Sequence, residues 1–134
     1  MGKCKKCIDK YGDLMYLVAR LLVGFMFFSH GAQKLFGWFG GTANGFSGLI
    51  GAAGVIEFVV GLTLLLGLWT RLMASLGALL MLVAYFMAHS GNGWHPLVNG
   101  GELALLYLAV FLVMAIKGNG KWSLESKILG KEKF

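Results

Sequence analysis

The sequence predicts an all-α fold, a bundle of four transmembrane helices with both termini in the cytoplasm. Three observations predict it: four long apolar runs, too little charge for a water-exposed surface, and cations confined to alternate connections. Of 134 residues, 57% are hydrophobic and 13% are charged, with a net charge of +6; mean hydropathy is +0.73. Soluble domains carry about 25% charged residues. A chain this short cannot fold so much apolar surface into its own interior. Lipid is the solvent that suits it.

The first run extends over about residues 14–36, the second over 46–69, the third over 72–89 and the fourth over 101–116. A helix crosses a bilayer with ~20 mostly apolar residues, range ~17–25. The first three runs meet that length. The fourth lies at the short limit and borrows Asn99 to Glu102 as an interfacial turn. A β-barrel is excluded because the runs are continuous and do not alternate. A removable signal peptide is excluded as well: the first run is too long, and "LFGWFGG" is no small-residue cleavage site. Residues 1–12 and 117–134 read as polar tails flanking a single domain over 1–134. In the second tail a short amphipathic helix would turn Trp122, Leu124, Ile128 and Leu129 toward lipid.

Orientation follows from the cations. Lys3, Lys5, Lys6 and Lys10 precede the first helix, and Arg71 sits between the second and third. Lys117, Lys121, Lys127, Lys131 and Lys133 follow the fourth, while connections 37–45 and 90–101 hold no Lys or Arg. The positive-inside rule places the termini and the Arg71 turn in the cytoplasm. The expected setting is a multi-pass protein of a prokaryotic cell membrane. The positive charge thus reflects topology, and nucleic acid is not an expected partner. Trp38, Phe39 and Trp94 mark the outer interface, Trp69 and Trp122 the inner one. Intrahelical glycines, as in "GLIGAAG", have the small-residue spacing that lets helix backbones approach in lipid.

Ionisable groups in a bilayer cost at least ~2.5 kcal/mol each on insertion scales and so turn inward to partners. At ~100° per residue, Arg20, Gly24, Phe27, Gly31 and Lys34 share one stripe of the first helix, with His30 beside it. Gly54, Glu57 and Gly61 share a face of the second; Ser75, Leu82, Tyr85 and His89 share one of the third. Depth sorts the polar groups into two levels. Deeper in, Arg20 is expected to pair with Glu57 in a bidentate contact. That pair either locks two helices or, with Tyr85, handles a ligand or protons. Near the outer face, His30, Lys34, His89 and Glu102 form the candidate catalytic set. Histidine changes charge near neutral pH and carries protons. Plainer roles stand beside these: an interfacial histidine for His30, and for Glu102 a favourable charge on a helix dipole. His95 reads as a loop residue. No metal template is present, since His30, His89 and Glu102 come from separate helices without diagnostic spacing. "CKKC" places Cys4 and Cys7 in a C-x-x-C pair, open to three readings: incidental, redox-active, or half of a metal site.

"RLLVGFMFFSHGAQKLFGWFGG" resembles the opening signature of the DoxX family of small four-helix membrane proteins. "GLIGAAGVIEFVVGLTLLLGLWTRLMA" is similar to that family's second-helix pattern of a buried Glu, a Gly and a Gly-to-Arg turn. The resemblance spans roughly residues 14–116, carried by Arg20, His30, Lys34, Glu57, Arg71, His89 and Glu102; Cys4 and Cys7 lie outside it. The family includes, or is close to, the membrane subunit of thiosulfate:quinone oxidoreductase, and other members look like components of thiol and oxidative-stress assemblies. The resemblance therefore implies a membrane subunit of a redox system, with a quinone as its cofactor and a soluble or membrane redox subunit as its partner. A homo-oligomer is compatible with it. In that role His30 or His89 would hydrogen-bond a quinone oxygen, Glu102 or Glu57 would relay protons, and Lys34 would attract an anionic sulfur compound. The alternatives are a non-enzymatic anchor for a soluble partner on the basic tails, and a small-molecule or proton conduit along Arg20 and Glu57.

Overall fold

The computed structural model describes residues 2–130, with side chains from residue 6 onward. The side chains of Lys3, Cys4 and Lys5, and residues Lys131 and Lys133, lie outside the described part. The described residues are helical or in turns, without strands. Helix α1 spans Gly2–Phe36, α2 Gly48–Leu66 and α3 Thr70–Ala84, the last continued by a π turn, Tyr85–His89. A four-residue helix α4, Pro96–Asn99, precedes α5, Glu102–Lys117, and α6 is Leu124–Leu129. Three stretches are long and apolar enough to cross a membrane: Lys6–Phe36, Gly48–Leu66 and Thr70–Asn92. Helix α5 has 16 residues, below the usual spanning length. Residues 2–12 are not a separate tail. They extend α1, because "KCKKCIDKYGD" holds no proline and a single glycine to interrupt helix propagation.

Two antiparallel hairpins make the bundle, α1 with α2 and α3 with α5. Small residues set the first. A Cβ on Gly31 would fall 2.3 Å from the Phe58 backbone nitrogen, and one on Gly61 2.2 Å from that of Phe28. These backbones therefore touch where only glycine fits, which is how helices associate in lipid. In the second hairpin Gly77 receives the Phe111 ring, which a Cβ would meet at 2.8 Å. Phe27, Val60, Leu64, Phe111 and Met114 fill the seam between hairpins and are fully buried. Phe27 meets Phe111 edge-on at 4.8 Å, a favoured aromatic geometry.

At the end holding both termini, the α2–α3 connection is tight. Gly67 (φ 67°) closes α2, and Trp69 (φ 47°) adopts the left-handed region that bulky residues avoid. Contacts from the C-terminal segment hold that turn. The Trp69 N–H donates to Glu125 Oε2 at 2.9 Å and the Thr70 N–H to Asn119 Oδ1 at 3.2 Å. Arg20 donates to the carbonyls of Asn119 and Trp122, the latter at 2.6 Å. Tyr16 donates to the Gly118 carbonyl. The polar segment after residue 117 docks through its polar side chains: Asn119, Ser123 and Glu125 are buried against the bundle. Trp122, Leu124, Ile128 and Leu129 remain exposed on the outer side, as an amphipathic helix would have them. Outside the spans, Lys121 is held above its ordinary pKa by its hydrogen bond to Asp13 (2.6 Å) and that group's charge.

Gly31→Val and Gly61→Val are each expected to lower stability by about 1–3 kcal/mol, the cost of overpacking a tight contact. Gly12→Ala, where a Cβ meets nothing within 4 Å, should instead raise stability by up to about 1 kcal/mol, the helix-propensity gain of alanine over glycine. Melting curves in one detergent compare the three.

Candidate functional site

The polar site lies between the hairpins at the end away from the termini. The close approach of Gly31 to Gly54 and Phe58 brings the last turn of α1 against the middle of α2. Lys34 Nζ then reaches Glu57 Oε1 at 2.5 Å. The Glu57 side chain is 4% exposed and that of Lys34 33%, so the carboxylate is the interior partner. Among the described residues its second oxygen, Oε2, has no hydrogen-bond partner, and neither does the buried hydroxyl of Tyr107 on α5; at the opposite end of the bundle Arg20 Nε and Thr70 Oγ1 are likewise without one. Buried polar atoms are nearly always satisfied. Glu57 and Tyr107 both line one cavity.

That cavity has a volume of about 200 Å³. His30, Lys34, Glu57, His89 and Tyr107 supply its polar wall, and Phe27, Met81, Leu103 and Ala104 its apolar one. The His30 ring stands edge-on to Tyr107 at 6.1 Å. His89 comes from the π turn that ends α3, an irregularity often found at functional sites. Its Nδ1 lies 3.2 Å from the Asn99 carbonyl oxygen. A carbonyl only accepts, so Nδ1 carries the proton in that contact. Asn99 ties the surrounding loop together: its Nδ2 donates to the Tyr85 hydroxyl (3.1 Å) and the Gly93 carbonyl (3.0 Å), and its Oδ1 accepts from the Gly101 N–H (2.8 Å).

Four of the expected residues therefore meet: His30, Lys34, Glu57 and His89 line one pocket. Tyr85 stands behind them, acting on His89 through Asn99. Glu102 is not among them. The inward positions of α5 are Ala104, Tyr107, Phe111 and Met114, and Glu102 falls off that stripe, exposed in the helix's first turn. There its charge complements the helix dipole. The expected Arg20–Glu57 pair is also corrected. Glycine contacts fix the register of α1 on α2, so Arg20 lies beside Gly67, where a Cβ would come 2.9 Å from its guanidinium. His30, level with Glu57, is ten residues further along α1, about 15 Å at the helical rise. Glu57 takes Lys34 as its partner, and Arg20 takes backbone carbonyls. His95 accepts from the Leu97 N–H at 3.3 Å and caps α4. Cys7 is exposed. No group of three His, Cys, Asp or Glu residues suited to a metal occurs among the described residues.

Tyr107 was absent from the sequence-based set, although a signal existed: a lone hydroxyl inside "LALLYLAVFLV". Asn99, Asn119 and Glu125 had none, because each sits in a segment that reads as loop or tail.

Chemically, the pocket offers an ammonium, an open carboxylate oxygen, a phenol and two imidazoles around an apolar floor. Such groups can donate hydrogen bonds to oxygen acceptors and exchange protons.

The family model described as DoxX matches residues 15–90. An uncharacterized protein of Haemophilus influenzae is 39% identical over 132 residues, covering 92% of this chain and 98% of the relative. A second uncharacterized protein of that organism is 30% identical over 123 residues, covering 84% of this chain and 82% of its own length. No solved structure matches the chain.

Removing one member of a buried ion pair costs about 3–5 kcal/mol; the partial exposure of Lys34 lowers the expected loss for Lys34→Met to roughly 2 kcal/mol. The double variant Lys34→Met/Glu57→Gln should recover most of it, since no charge is then stranded. Unfolding of the wild type, the two single variants and the double variant in identical lipid discs measures the coupling.

Proposed function

This chain belongs to the DoxX family, and on that premise we propose that it is the integral membrane subunit of a redox system, its inter-hairpin pocket binding a quinone head group. The observation that carries the proposal is the pair of unsatisfied polar atoms, Glu57 Oε2 and the Tyr107 hydroxyl, facing one cavity. Size supports it. A dry cavity of about 150 Å³ admits benzene, so about 200 Å³ accommodates a single substituted ring. A bound quinone supplies two-electron, two-proton chemistry, with electrons drawn from a small sulfur compound or a thiol partner. The protein's part is to bind and to move protons. The Tyr107 hydroxyl and His30 imidazole are positioned to hydrogen-bond a ring oxygen. His89 is held by Asn99 and Tyr85 so that its free ring nitrogen is available to a proton. Lys34 keeps Glu57 in place and gives the pocket a positive rim.

Topology follows the same reading. Helix α5 lies alongside α3 and exposes Leu106, Leu112, Val113 and Ile116, a surface suited to lipid, so it serves as a short fourth crossing. Lys6, Lys10, Arg71, Lys117, Lys121 and Lys127 stand at the end with the termini, which fits a cytoplasmic placement in a prokaryotic cell membrane. The single domain is one four-crossing bundle. A conduit is disfavoured by the apolar layer of Phe27, Val60, Leu64 and Phe111, each at most 1% exposed, between the pocket and Arg20. A pure anchor would need no such pocket.

In lipid discs the chain should bind a quinone analogue. Tyr107→Phe and His30→Ala should each weaken binding by up to about tenfold, the worth of one hydrogen bond. Absence of binding to the wild type, or affinity unchanged by both substitutions, contradicts the proposal and favours the anchor.

A further inference from the structure

Beside the polar pocket runs a larger groove, about 450 Å³, on the outer side of the bundle between α2 and α3. It lies at the ends of these helices away from their tight connection. Its walls are apolar and shallow: Ala52, Ala53 and Ile56 from α2, Val83, Met87 and Ala88 from α3. Small residues leave the space that larger ones would fill. Lys34 and Ala84 line both this groove and the polar pocket, so the two spaces share a wall.

That wall is soft. Lys34 presents a flexible aliphatic stem with its charge at the tip, and such side chains lie along apolar surface. The π turn opens α3 at this same point. Met87 and Ala88 of that turn face the groove, whereas His89 faces the pocket. Beyond the wall are Glu57 and Tyr107, which carry two of the four buried polar atoms without a hydrogen-bond partner among the described residues.

We propose that the groove between α2 and α3 is a lateral portal from the lipid, and that the molecule bound in the pocket is an amphiphile whose apolar chain occupies it. This rests on the reading of the pocket as a quinone site and goes further. It states which seam opens, which residues hold the chain, and that the substrate is membrane-dissolved and does not arrive from water. A polar ring would pass Lys34 to meet Tyr107 and His30. The attached chain would stay against Ala52, Ala53, Ile56 and Val83. Each methylene packed against that wall adds dispersion contacts to those it makes in lipid, and the groove makes that contribution available only to a molecule with a tail.

The test compares a decyl-substituted benzoquinone with the same ring carrying a methyl group in its place, in lipid discs. The wild type should bind the decyl compound about threefold or more tightly than expected from its partition into lipid alone, a gain from dispersion contacts with the groove wall, since partition already includes the transfer of the chain out of water. Ala53→Trp fills the groove from α2 and Ala88→Phe fills it from α3. Either should remove that preference while leaving the methyl compound's affinity within about twofold; retained methyl binding also reports a folded pocket. Val110→Trp, on the opposite seam between α1 and α5, should change neither. Equal corrected affinities for the two compounds in the wild type would overturn the portal. So would loss of decyl binding in Val110→Trp with none in the groove variants. In both cases methyl-compound binding that still depends on Tyr107 leaves the pocket assignment standing. Failure of the wild type to bind either compound removes the pocket reading, and the portal with it.

Discussion

Lys34 and Glu57 meet at 2.5 Å inside a bundle whose exterior is almost wholly apolar, and the rest of the architecture is arranged around that contact. Charges are costly at membrane depth unless paired. A lysine at the end of one helix reaches a carboxylate at the middle of the next only if the backbones nearly touch. The glycines at 24, 31, 54 and 61 provide that approach. The pair is also incomplete, since one carboxylate oxygen is left facing a cavity together with the Tyr107 hydroxyl.

The two ends of the bundle are built differently for a physical reason. At the terminal end, Arg20, Asn119 and Glu125 form a dense network that pins the C-terminal segment under a strained turn at Trp69. Breaking one member would strand buried polar groups, so that end acts as a clamp. At the other end Asn99 and the ion pair tie the elements together around a space between the hairpins. Rigidity at one end and a cavity at the other is how a small bundle supports a site without a large core.

Much of this was legible in the sequence. Low charge and long apolar runs are consequences of the solvent, and they specify helices directly. The convergence of His30, Lys34 and His89 followed from helical stripes and depth. Partner choice was not legible. Stripe and depth place Arg20 and Glu57 on facing surfaces, but register depends on where glycines let backbones touch, a tertiary property. Apolar run ends also mislead about depth, because α1 continues as helix well before residue 14. Glu102 was misplaced by one position around its helix, about 100°. Glu125 and Asn119 were hidden in a segment whose polarity reads as solvent-exposed, although its polar groups are buried against the bundle.

The central claim is the direct contact of the Lys34 ammonium with the Glu57 carboxylate within the lipid-embedded bundle. Solid-state magnetic resonance on the chain in bilayers, with nitrogen labelled at lysine and arginine side chains and carbon at glutamate carboxyls, measures it directly once Lys34→Met identifies the resonance. A dipolar coupling corresponding to hydrogen-bonded contact, lost in Glu57→Gln, is expected. A Glu57 carboxyl coupled to the Arg20 guanidinium, or to no labelled nitrogen, would contradict the account.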